Sequence, residues 1–240
     1  SLDEAFLDMT GTERLFGPPE EAASRIKEEI CDATELVASV GVATNKFLAK
    51  LASDLDKPDG LTVIPPGEER SFIADFDIRK IWGVGPKSAE KLRGLGLETI
   101  DDVATADPTD LAREVGESFA RHIRALARGE DERPVVNDHE RKSVGSERTL
   151  SENITGREAV EKHLRRQIET VARTLRDKSI RARGVRVKIK YDGTFQLATR
   201  QGALPTAADD SVTLADKAFS LLNTLELHRL FRTSGEQAEA

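Results

Sequence analysis

The 240-residue sequence predicts a multidomain protein of mixed α/β and α+β class, and three observations point there. Residues 1–66 alternate short apolar runs with segments of helical period, which reads as helices laid against a sheet. Residues 67–137 are helical in pattern almost throughout, with glycine stops at positions 83, 85, 94, 96, 116 and 129. After a polar link at 138–143, residues 144–240 return to strand and helix patterns with one basic strand face, as an α+β module would. A chain of this length can bury two or three modest cores.

The elements follow from the punctuation. Residues 1–10, SLDEAFLDMT, read as a strand ending near Gly11. Pro18-Pro19 opens a helix whose first turn is acidic, as the helix dipole favours. VASVGVAT (37–44) reads as a buried strand. Asn45 caps the next helix, where Phe47, Leu48, Leu51 and Leu55 form an apolar stripe. KPDG is a turn, and LTVI (61–64) a short strand. In the third region the pattern is strand (SVGSERTL), helix (about 156–178), strand (GVRVKIKYD), strand (FQLATRQGAL) and helix (about 211–224). Lys188 and Lys190 fall on one face of their strand, Val187 and Ile189 on the other.

Composition excludes several classes. No apolar run is long enough to span a bilayer, and a charged-then-apolar leader ahead of the first strand is not expected. Cys31 is the single cysteine, so no internal disulfide forms, and a cytoplasmic setting is expected. The four histidines, His122, His139, His163 and His228, are scattered without a zinc-type cluster and are expected at the surface. The net charge of −7 hides a split: residues 141–205 hold sixteen Lys/Arg against seven Asp/Glu, a balance of +9 against −16 elsewhere. Such asymmetry marks one surface for a polyanion, or else a helix with a solvated basic face.

Two stretches carry chemistry. IWGVGPKSAEKLRGLG (81–96) has the apolar-Gly-apolar-Gly start and small residue (Ala89) of a helix-hairpin-helix. Gly83 and Gly85 permit a tight turn, and the helix beyond offers free N–H groups to a DNA phosphate, with Lys87 adding charge. A plain helical corner is the alternative. REVGESFARHIRALARG (113–129) reads as a second, weaker copy. The opening places adjacent carboxylates, Asp3 and Glu4, in an apolar run. In a strand one of them would face inward, at a cost unless paired or bound to metal. The stretch is therefore either a solvated strand end or part of a metal site.

SLDEAFLDMT resembles the S-[IL]-D-E-[AV]-[FY]-[LI]-D motif of Y-family translesion DNA polymerases, and the resemblance continues through GVATNKFLAKLASDLDKPDG (41–60), the hairpin and KSVGSERTL (142–150). It covers nearly the whole chain in the family's order, which implies a rear part of the palm (1–66), a helical thumb (67–137), a linker (138–143) and a little finger (144–240). The family's chemistry implies Asp3 and Glu4 as two carboxylates of a two-metal Mg²⁺ site, and Lys57 as a triphosphate contact. Primer–template DNA and deoxynucleoside triphosphates would be the partners, with Gly83, Gly85, Lys87, Lys142, Arg148, Lys188, Lys190 and Arg200 as candidate DNA contacts. A monomer is expected. Ser39 and Asp8 are read as serving the strands.

Two departures qualify the resemblance. The family's first metal-binding aspartate, its fingers and its steric-gate aromatic lie ahead of this motif, and the sequence starts at Ser1. At the other end, LELHRLFRTSGEQAEA does not read as the strand that completes the little-finger sheet, and a sliding-clamp motif is not recognisable. The expectation is a partial polymerase that binds DNA but is not catalytic alone. A non-catalytic DNA-binding module, or an unrelated α/β protein with a fortuitous corner motif, remains as an alternative.

Overall fold

The computed structural model describes residues 3–137, 142–191, 196–225 and 231–239, the last segment by its backbone. The chain divides into two compact units, 1–137 and 138–240.

Among the described residues unit 1 begins without a strand. Residues 3–10 are irregular, and the sheet that follows has two parallel strands, β1 (Val40–Val42) and β2 (Leu61–Val63). The strand expected over 1–10 is therefore corrected. A strand exists through a neighbour that takes its N–H and C=O groups, and among the described residues the sheet offers none to this segment. Side chains hold the segment instead: Phe6 stacks on Trp82, ring centroids 6.1 Å apart, and the Lys46 ammonium lies 5.0 Å from the Phe6 ring centre. A short turn of helix, α1 (Glu13–Phe16), and the longer α2 (Pro19–Thr34) lead to β1. Proline at the first position and Glu20 and Glu21 in the first turn start α2 as the sequence expects.

Between the strands runs α3 (Lys46–Ser53), whose Asn45 side chain accepts from the Leu48 N–H. Phe47, Leu48 and Leu51 of its apolar stripe are buried. The helix lies so close to β1 that a Cβ added at Gly41 would stand 2.1 Å from the Ala49 carbonyl oxygen and 2.4 Å from the Ser53 nitrogen. Only glycine permits that approach. Ser39 accepts from the Gly60 N–H at 3.2 Å, tying the entry of β1 to that of β2.

The helical part consists of α4 (Glu69–Ile73), a 3₁₀ turn (Ile78–Lys80), α5 (Pro86–Gly94), α6 (Ile100–Thr105), α7 (Pro108–Val115) and α8 (Glu117–Ala127). Thr99 and Asp102 form a reciprocal capping box at α6, and Asp107 caps α7 ahead of Pro108. Ile73, Ile78, Leu92, Ile100, Leu111 and Ile123 join Phe47 and Leu48 in one continuous core. The α/β part and the helical part thus share their interior.

Unit 2 is a four-stranded antiparallel sheet in the order β3 (Ser143–Ile154), β6 (Phe231–Glu239), β4 (Ala182–Tyr191), β5 (Leu197–Ala208), with α9 (Arg157–Asp177) and α10 (Ser211–Leu222) on one face. Helix α9 buries Val160, Leu164, Ile168, Val171 and Leu175 at helical spacing. β6 corrects a second expectation, since the terminal segment does form a strand, and a central one. Both edges of its backbone are used, by β3 and by β4, so the ladder can fix the strand without an apolar sequence signal.

Candidate nucleic-acid and phosphoryl-transfer site

Asp3 and Glu4 are both exposed at the start of the irregular segment. Glu4 is held from α3: Lys50 Nζ donates to its Oε1 at 2.5 Å. The same ammonium reaches Asp54 Oδ2 at 3.0 Å, and Lys57 Nζ lies 2.6 Å from Asp54 Oδ1. The hydrogen bond to Glu4 raises the Lys50 ammonium above its ordinary value against the opposing effect of burial. Burial of Asp54 would raise its carboxyl, but hydrogen bonds from Lys57 and then Lys50 outweigh it and hold the group below its usual value. Asp8 lies apart from this cluster and accepts from the Thr10 N–H at 3.0 Å, so it closes a turn and serves no strand.

Carboxylate oxygens suit Mg²⁺, which is commonly held by one or two carboxylates together with substrate phosphates and water. Asp3 and Glu4 fit that donor chemistry. Among the described residues no group of three or more Asp, Glu, His or Cys is placed to hold a metal ion.

The hairpin builds a glycine corner at the start of a helix. Gly83 has φ +98, in the left-handed region that side-chain-bearing residues avoid, so the turn rests on it. Gly85 has an extended φ of −83, and a Cβ there would meet nothing within 4 Å. Its contribution is open space for a close approach. Helix α5 starts at Pro86, and in its first turn the N–H groups of Lys87 and Ser88 lack an intrahelical acceptor. Lys87 is exposed beside them. The second glycine corner repeats the plan: Gly116 at φ +91 precedes α8, and Ala120 is buried as Ala89 is in α5.

In unit 2 the register sorts the candidate cations. Residues paired across strands share a face. Lys188 aligns with Gly235 and Thr199, Lys190 with Thr233 and Leu197, and both lie on the face away from the helices. Arg200 aligns with Val187, and Arg148 aligns through Ser234 with Ile189, so both belong to the helix-covered face while remaining exposed. Arg148 accordingly stands near α9, where burial first, and then the charges of Arg166, Arg148 and Lys162, lower the His163 imidazole. Arg186, on the open face with Lys188, was missed; strict alternation along GVRVKIKYD was the signal that would have found it. Its guanidinium bonds Gln201 at 3.0 Å. Lys188 reaches over Gly235 of β6 to Glu147 Oε2 at 2.8 Å. Lys142 is exposed just ahead of β3. His122 is half-buried, and His139, His228 and most of the linker expected at 138–143 lie outside the described residues.

This architecture is that of solved Y-family DNA polymerases. The chain aligns with a Y-family DNA polymerase chimera of Dbh and Dpo4 at a TM-score of 0.80 and 26% identity, over 97% of this chain and 67% of that one. It aligns with an insertion ternary complex of Dbh DNA polymerase at a TM-score of 0.62, with the same identity and coverage. Three family patterns match in order: the impB/mucB/samB family at 1–54, the IMS family HHH motif at 66–97, and the impB/mucB/samB family C-terminal domain at 141–236. Proteins called DNA polymerase IV from Desulfatibacillum aliphaticivorans and Akkermansia muciniphila are 40% and 38% identical to it, over 92% and 95% of this chain. The chain belongs to the impB/mucB/samB family of Y-family polymerases. It spans 56% of the first relative's length and 67% of the second's. Among the described residues no helix is long and apolar enough to cross a membrane.

Proposed function

We propose that the chain is the rear palm, thumb and little finger of a translesion DNA polymerase, adding deoxynucleotides to a primer by two-metal phosphoryl transfer. What supports this most directly is the exposed acidic pair Asp3–Glu4, on the unit that carries Lys57 and the hairpin, in a chain matching the family in order. Mg²⁺ ions, when bound, supply the positive charge that stabilises the attacking and leaving oxygens. Asp3 and Glu4 would hold them. Lys57 faces the triphosphate as a point charge. The corner at Gly83–Lys87 grips a backbone phosphate, and the open sheet face carries Arg186, Lys188 and Lys190 to the duplex. These contacts position DNA without reading its sequence. The protein acts as a cytoplasmic monomer.

The 240 residues contain two carboxylates of the expected three, so by themselves they bind DNA without extending a primer. The test is single-turnover insertion with Mg²⁺. The chain alone should give no extension, and joining it to the front section of a relative should restore it. In that fusion Asp3→Asn and Glu4→Gln should each lower the rate by several orders of magnitude while DNA affinity stays nearly constant. Near-normal insertion by either variant sinks the reading.

A further inference from the structure

Glu4 and Lys57 stand at opposite ends of the sequence that builds the proposed site, yet one chain of alternating charge joins them. Lys50 bridges Glu4 and Asp54, at 2.5 and 3.0 Å, and Asp54 holds Lys57 at 2.6 Å. The two central members belong to the end of α3. That helix is a firm mount: Asn45 caps its start, Gly41 brings it tightly onto β1, and Phe47, Leu48 and Leu51 seal its inner face. The two end members are differently placed. Glu4 lies on a segment with no sheet partner among the described residues, and Lys57 lies in a loop with its side chain 53% exposed. A carboxylate on an irregular segment and an ammonium in a loop are thus each paired with a residue of the helix end. An ordinary exposed ion pair contributes little, but Lys50 is only 29% exposed and serves two carboxylates from one position. Its bond to Oε1 does not exhaust Glu4, because a carboxylate has two oxygens with several acceptor sites.

We propose that Lys50 is a positioning residue of the polymerase site: it aims Glu4 toward the cation and, through Asp54, sets Lys57 at the triphosphate end. This rests on the reading of Asp3, Glu4 and Lys57 given above, and the test separates the two. In the 240-residue chain, the side-chain ammonium signals of Lys50 and Lys57 should show the slow exchange of paired lysines in ¹H–¹⁵N spectra. Glu4→Gln should shift the Lys50 signal, and Asp54→Asn should shift both. A Lys50 signal that ignores Glu4→Gln overturns the proposal, because no pairing then exists in solution. In the fusion with a relative's front section, Lys50→Met should lower the insertion rate at saturating nucleotide by roughly ten- to a hundredfold, as a small misplacement of reacting groups does. Lys50→Arg should recover most of that loss, and DNA affinity should stay unchanged in both, with the fold checked by thermal melting. If Lys50→Met inserts normally while Glu4→Gln is dead, the positioning role is refuted and the polymerase reading stands. If Glu4→Gln itself inserts normally, the site reading falls and takes this inference with it.

Discussion

Lys188 and Lys190 should carry a measurable part of DNA binding, and Arg148 and Arg200 should not, although all four were candidates in the sequence. The register decides the difference: the lysines lie on the open face of the sheet, while the arginines align with buried Ile189 and Val187. Each phosphate neutralised contributes a slope of about −0.9 in log K against log salt. A Lys188→Ala/Lys190→Ala double variant should therefore lose about 1.8 from the slope, and between about 50 and 200 mM salt its affinity should fall about twelvefold less than the parent's. The Lys188 pair with Glu147 is partly exposed, so its loss should cost little stability. Glu147→Gln, which frees Lys188 and removes a like charge from the face, should tighten binding. The assay is fluorescence anisotropy of a labelled duplex across a salt series, with the fold checked by thermal melting. An Arg148→Ala/Arg200→Ala variant that loses as much slope as the lysine pair would refute the assignment of faces.

Two further outcomes concern stability. Gly41→Ala should destabilise unit 1 by about 2–3 kcal/mol, because the new methyl meets backbone atoms of α3 that cannot step aside; a urea midpoint within error of the parent's would contradict that packing. Backbone N–H groups of Thr99 and Glu98 hold the Asp102 carboxyl below its ordinary value of 3.8, and those of Thr109 and Asp110 do the same for Asp107. Groups depressed in this way give stability that is complete above the unfolded value and lost as pH falls through the lower folded one. Urea midpoints should therefore be nearly flat from about pH 7 to 5 and fall below about pH 4, with Asp102→Asn softening the fall; a midpoint that rises on acidification would contradict the sign.

Much of the site was legible because its signals are local. The hairpin glycines, the Asn45 cap and the acidic pair each declare themselves within a few residues, as a backbone turn or a helix start must. The alternation in GVRVKIKYD likewise placed Lys188 and Lys190 on one face, and the structure keeps them there. The Gly85 contribution was partly misjudged: positive φ falls on Gly83, and Gly85 leaves room instead.

By itself, then, the sequence determined the longer helices, the Asn45 cap and the glycine corners, because all of these depend on neighbours one to four positions away. Only the tertiary structure decided that residues 3–10 make no strand while 231–239 do, since a strand is defined by the partner that completes its hydrogen bonds. It also decided which arginines share a face with which lysines, because a face is a property of register between strands distant in sequence. Lys50 was an unremarked residue of an apolar-striped helix until folding brought Glu4 to within 2.5 Å of its ammonium. Opposite charges meet through space, and no spacing along the chain announces that meeting.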